Sequence, residues 1–94
     1  MEKKLVDDNI AVERRNRIRL SAAAYAYEIM DESVISDAEF DALAERIDTS
    51  VKTGNRKLDT FFAKHFEPHT GQWIHKHPEK HQLRRIVDIM RKSK

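Results

Sequence analysis

Cysteine is absent from the sequence, and its 94 residues include only two glycines, two prolines and one tryptophan. Without thiols there is no disulfide framework and no thiolate nucleophile, which fits a reducing compartment. So few glycines and prolines argue against many strands and tight turns, and for helices joined by short connections. No uninterrupted apolar run approaches the roughly 20 residues that span a bilayer. The first residues, Met1 to Asp8, lack the apolar centre of a signal peptide. These absences give the expectation of a cytoplasmic chain with no membrane partner. Nor does one sign of charge dominate: 18 basic residues face 16 acidic ones, a formal net charge of +2. That balance neither demands nor forbids a polyanionic partner.

What is present is helical periodicity. A chain of this length predicts one domain, residues 1–94, with a single core. From about Asp8 to Asp31, Ile10, Arg14, Ile18, Ala22, Tyr25 and Ile29 recur at helical spacing, with Asp7 or Asp8 as cap. Ala22, Ala23 and Ala24 make a small-residue patch that lets another element approach closely. Ser36 and Glu39 form a capping box ahead of a second helix, whose Phe40, Leu43, Ala44 and Ile47 form one apolar stripe. A shorter third helix carries Leu58, Phe61, Phe62 and His65 on one face. The stretch from Phe66 to His77, interrupted by Pro68 and Gly71, reads as an ordered loop. Its Trp73 either plugs the core or recognises a ligand. Pro78 opens the last helix with His77 at the cap, and Leu83, Ile86, Val87 and Met90 form the buried side. The expected fold is all-α, a bundle of about four helices with a long first one. Its expected core is Tyr25, Ile29, Phe40, Leu43, Ile47, Phe61, Phe62, Trp73, Leu83, Val87 and Met90.

Asp37 and Asp41 share one face of the second helix, away from the apolar stripe. Two readings apply. In the first, Asp37 is favoured by the helix dipole and Asp41 is merely solvated. In the second, the pair faces a cation, for which Tyr27 offers an aromatic face. The segment containing Tyr25, Tyr27, Glu28, Asp31, Asp37, Ala38, Glu39, Phe40 and Asp41 resembles the amino-terminal Ia domain of bacterial NAD-dependent DNA ligases. There the equivalent segment reads roughly Tyr-x-Tyr-His-x-x-Asp…Asp-Ala-Glu-Tyr-Asp. The resemblance covers about residues 19–48, a helical hairpin amounting to roughly a third of the chain.

That resemblance implies a scaffold that grips nicotinamide mononucleotide, the nicotinamide half of NAD, through Tyr27, Asp37 and Asp41. The sequence departs from the family at Glu28, where the pattern has histidine, and at Phe40, where it has a second tyrosine. The ligases also need a Lys-x-Asp-Gly motif to accept adenylate, and the sequence contains none. A module of this kind would bind without reacting, so no catalytic residue and no enzyme activity are expected. The stretch from Phe66 to Glu79 is also similar to an element of short phage and prophage proteins related to ligases. Residues 56–94 are then the family-specific part.

Five histidines (His65, His69, His75, His77 and His81) crowd the second half, but their spacings fit no usual metal motif, so no metal is expected. His69, Trp73, His75, Lys76 and His77 instead form a candidate partner surface. Arg14, Arg15, Arg17 and Arg19 are candidate phosphate contacts, joined by the tail from Arg91 to Lys94. Those four arginines spread around much of a helix, so nucleic-acid binding would be weak, sequence-independent and salt-dependent. The leading expectation is a non-catalytic accessory protein of phage or prophage type acting through a protein partner. An inhibitor of a host defence or replication complex is one concrete form. The alternatives are a nicotinamide-nucleotide-binding module and a non-specific nucleic-acid binder, and the long first helix also offers a surface for a homodimer.

Overall fold

The computed structural model describes the backbone of residues 2–92 and side chains from residue 9 to residue 92. Four α-helices follow one another: α1 (Glu2–Glu28), α2 (Asp37–Arg46), α3 (Arg56–His65) and α4 (Lys80–Lys92). A short 3-10 helix, Gln72–Lys76, precedes α4, and no strand occurs among the described residues. The all-α expectation with a long first helix is met. Several boundaries move, however, and each shift has a local cause.

α1 is already helical before Asp7 and Asp8, so neither residue caps it. It ends at Glu28, short of the expected Asp31. There Asp31 takes a left-handed backbone with φ of 55°, which a short polar side chain tolerates better than most. The amide of Glu32 then folds back to the Ala26 carbonyl at 2.9 Å. The capping box of α2 forms as the sequence predicts. The Ser36 hydroxyl accepts the Glu39 amide at 3.1 Å, and Glu39 Oε1 accepts the Ser36 amide at 3.2 Å. Ser36→Ala should therefore remove about 1 kcal/mol of stability, which lowers Tm by roughly 4–8 °C in a domain of this size. A melting curve unchanged by the substitution would show the cap to be energetically idle.

The 66–77 stretch is not a plain loop. The Thr70 hydroxyl accepts the Gln72 amide at 3.2 Å and starts the 3-10 turn that buries Trp73 and Ile74. α4 begins at Lys80, so Pro78 does not open it and His77 does not cap it; instead His77 Nδ1 accepts the Glu79 amide at 3.0 Å in the turn ahead of the helix.

Packing explains the alanines. α1 lies against α2, the 3-10 helix and α4, while α3 packs on the 3-10 helix. Ala22, Ala23, Ala24 and Ala26 are all buried; Ala22, Ala23 and Ala26 give α4 a flat surface on which Val87 becomes fully inaccessible, and Ala24 belongs to the other core cluster. A second cluster gathers Leu20, Leu43, Phe61, Phe62, Trp73, Ile74 and Leu83. Burying a side chain such as Phe62 stabilises the fold by about 1.5–3 kcal/mol. Of the expected core, Tyr25, Phe40, Ile47 and Met90 are only half-buried. Ile29 is a correction: lying past the end of α1, it is 41% exposed.

Candidate functional site

Tyr27, Asp37 and Asp41 are the residues tied to nicotinamide recognition. All three are exposed, Tyr27 by 61%. The two departures from the ligase pattern, Glu28 and Phe40, are the positions that the chain's own second half covers. Gly71 passes so close that a Cβ placed there would lie 3.5 Å from Ala24, 3.6 Å from the Phe40 ring and 3.7 Å from Glu28. Next to it, His75 Nε2 stands 3.5 Å from the Glu28 carboxylate.

Of the candidate partner surface, His69, His75 and Lys76 are exposed, whereas Trp73 and His77 are buried and leave that surface as a correction. The Trp73 indole sits among Phe61, Phe62 and Phe66 with centroid distances of 6.0, 5.6 and 5.3 Å. Its Nε1 donates to the Thr70 carbonyl at 2.7 Å, so both its apolar body and its polar edge are satisfied within the fold. Among the described residues no group of three or more His, Asp or Glu side chains is placed to hold a metal ion. Among them also, no helix is long and apolar enough to cross a membrane.

The arginine row divides. Arg17 is not a phosphate contact but a buried hub. Its Nε donates to Glu13 at 2.7 Å, Nη1 to Asp59 at 2.8 Å, and Nη2 to the carbonyls of Asp48 and Val51 at 2.8 and 3.0 Å. The guanidinium also lies 5.2 Å from the centroid of the Phe62 ring. Glu13 accepts the Asp48 amide at 3.0 Å as well, and Asp59 accepts the hydroxyl and amide of Thr53 at 2.7 and 3.0 Å. The cluster thus fastens the 48–53 connection to α1 and to the start of α3. Arg14, Arg15 and Arg19 stay exposed, with Arg14 Nη2 donating to the Thr53 carbonyl. At the tail, Arg91 is engaged by Glu32 and Asp88, and Ser93 and Lys94 lie outside the described residues.

With the 48–53 connection held this way, a groove of about 980 Å³ remains between α1, the start of α3 and α4. Ile18, Leu58, Phe62, Leu83 and Ile86 supply apolar walls, and Arg14 and Arg85 supply charge. Four polar residues in its lining are buried: Arg17, Ser21, Thr53 and His77. The Ser21 hydroxyl has no hydrogen-bond partner. His77 uses Nδ1 as an acceptor for the Glu79 amide, so in the neutral ring the proton sits on Nε2. Burial lowers the His77 pKa from 6.5 to about 4, and Lys80 pushes the same way against Glu79, so the ring is neutral at pH 7. The sequence concealed this site because its lining comes from three separated segments, none carrying a motif.

No protein-family model, curated protein or solved structure matches the chain.

Proposed function

We propose that the chain is a non-catalytic accessory protein that works by receiving part of another protein in the groove between α1, α3 and α4. The observation that carries this reading is the groove itself, whose apolar walls flank a buried hydroxyl, that of Ser21, without a hydrogen-bond partner. A bound segment would cover Ile18, Leu58 and Ile86 and could satisfy Ser21, so burial and hydrogen bonding would both favour it. The ligase-like pattern in residues 19–48 supports the origin of the scaffold, and the similarity of the stretch from Phe66 to Glu79 to an element of short phage and prophage proteins supports a phage or prophage origin with action in the cytoplasm. Inhibition of a host defence or replication complex is one concrete form of this binding. Nicotinamide-nucleotide binding has less support, because Gly71 and His75 cover the positions at Phe40 and Glu28 where the ring would be held.

The test is affinity capture from bacterial lysate by the full chain, by Ile18→Asp and by Tyr27→Ala, with helicity checked by circular dichroism. Ile18 is 38% exposed, so a charge there should spare the fold while entering the groove. A stoichiometric partner should be retained by Tyr27→Ala and lost by Ile18→Asp, with affinity falling about tenfold or more. No partner at all, or capture indifferent to Ile18→Asp, would refute the proposal.

A further inference from the structure

The groove's shape and chemistry narrow what enters it, given the protein-binding reading above. We infer that its occupant is a single amphipathic α-helix of about two turns with an acidic flank.

Backbone bookkeeping comes first. Among the described residues there is no strand, so the groove offers no sheet edge. An extended peptide laid along its apolar walls would carry unpaired amides and carbonyls there, whereas a helix satisfies its own. Size agrees. A helix is a cylinder about 10 Å across rising about 1.5 Å per residue, so 980 Å³ holds roughly eight residues.

Charge decides the flank. Arg14 is anchored through Nη2 to the Thr53 carbonyl, which leaves other N–H groups of its fork free to donate. Arg85 lines the same groove, is exposed and has no ion-pair partner among the described residues. Only Glu79 opposes them in the lining, since the third arginine, Arg17, is already neutralised by Glu13 and Asp59. Ile18, Leu58 and Ile86 then meet the apolar face of the helix.

A cell-surface display library of random twelve-residue peptides, selected against the biotinylated full chain, tests this. Survivors should show apolar residues at helical spacing with aspartate and glutamate enriched over the input. The double variant Arg14→Glu/Arg85→Glu should bind those survivors about tenfold or more weakly, and selection against it should favour lysine and arginine. Survivors with a period of two, survivors rich in proline, or acidic enrichment that persists in the double variant would each overturn the inference. An empty selection alongside lysate capture that still depends on Ile18 would overturn the helix while leaving protein binding intact. Capture indifferent to Ile18→Asp would instead remove the reading on which the helix rests.

Discussion

Arg17→Met is expected to destabilise the protein by about 3–5 kcal/mol, the typical result of removing one partner from a buried ion pair. A chain of 94 residues has a total stability of only about 5–14 kcal/mol, so the variant should sit near the edge of folding. The size of the effect comes from what is left behind. Glu13 and Arg17 have side chains 7% and 4% exposed, and Asp59 is at 12%. Without the guanidinium, two carboxylates remain in a poorly hydrated place, and the carbonyls of Asp48 and Val51 lose donors. Methionine restores much of the volume, so the loss reads electrostatics and hydrogen bonding, with little contribution from a cavity. Arg17→Lys should recover only part of it, because an ammonium cannot reach two carboxylates and two carbonyls with the planar fork. Urea unfolding followed by circular dichroism measures this directly. If Arg17→Met costs less than about 1 kcal/mol, the hub is a surface-like ion pair and does not organise the 48–53 connection. A second consequence follows for binding: Thr53 and Leu58 line the groove, so loosening that connection should also weaken capture of the partner.

The fate of Arg17 shows what the sequence did and did not reveal. Glu13 and Arg17 stand in the i, i+4 relation with the acid first, a favourable helix pair visible from sequence alone. Burial of that pair was not visible, because it depends on Asp59 and on carbonyls contributed by a connection far along the chain. The same holds for the aromatic residues. Phe61 and Phe62 read as one helical face, and both are buried. Phe40 read as equally central but is only half-buried, since α2 meets α1 chiefly through Leu43 and Ala44. Local signals succeeded where the cause was local, as in the Ser36–Glu39 box. They missed the 3-10 turn, whose stability comes from Trp73 reaching three phenylalanines. The groove was beyond reach for the related reason that a gap between helices is a property of their arrangement, which no single segment encodes.

The pH dependence of stability should carry the signature of His77. Its pKa is about 4 in the folded protein against 6.5 for the unperturbed ring, because burial disfavours the charged form. Above pH 6.5 the ring is neutral in both states and stability does not depend on it. Between 6.5 and about 4 the unfolded chain takes up a proton that the folded chain refuses, so acid favours unfolding. Stability should fall there by up to about 1.4 kcal/mol per pH unit, about 3 kcal/mol in all, and this contribution should level off below pH 4. Asp59 acts in a separate window. Burial pushes its carboxyl up, but hydrogen bonds from Thr53 and Arg17 outweigh that and hold it below 3.8. The stability it supplies is complete above that value and is lost as pH falls through the lower folded value. His77→Asn separates the two, since its amide oxygen can accept the Glu79 amide in place of Nδ1 without titrating. Losing the contact with Phe61, whose ring centroid is 5.0 Å from that of His77, should lower stability at every pH. The slope between pH 6.5 and 4 should flatten, while the steeper loss at lower pH remains. Urea unfolding series at half-unit pH steps would show it. A His77→Asn protein that keeps the wild-type slope would place the titrating group elsewhere and mean that the buried ring is charged or free to leave its site.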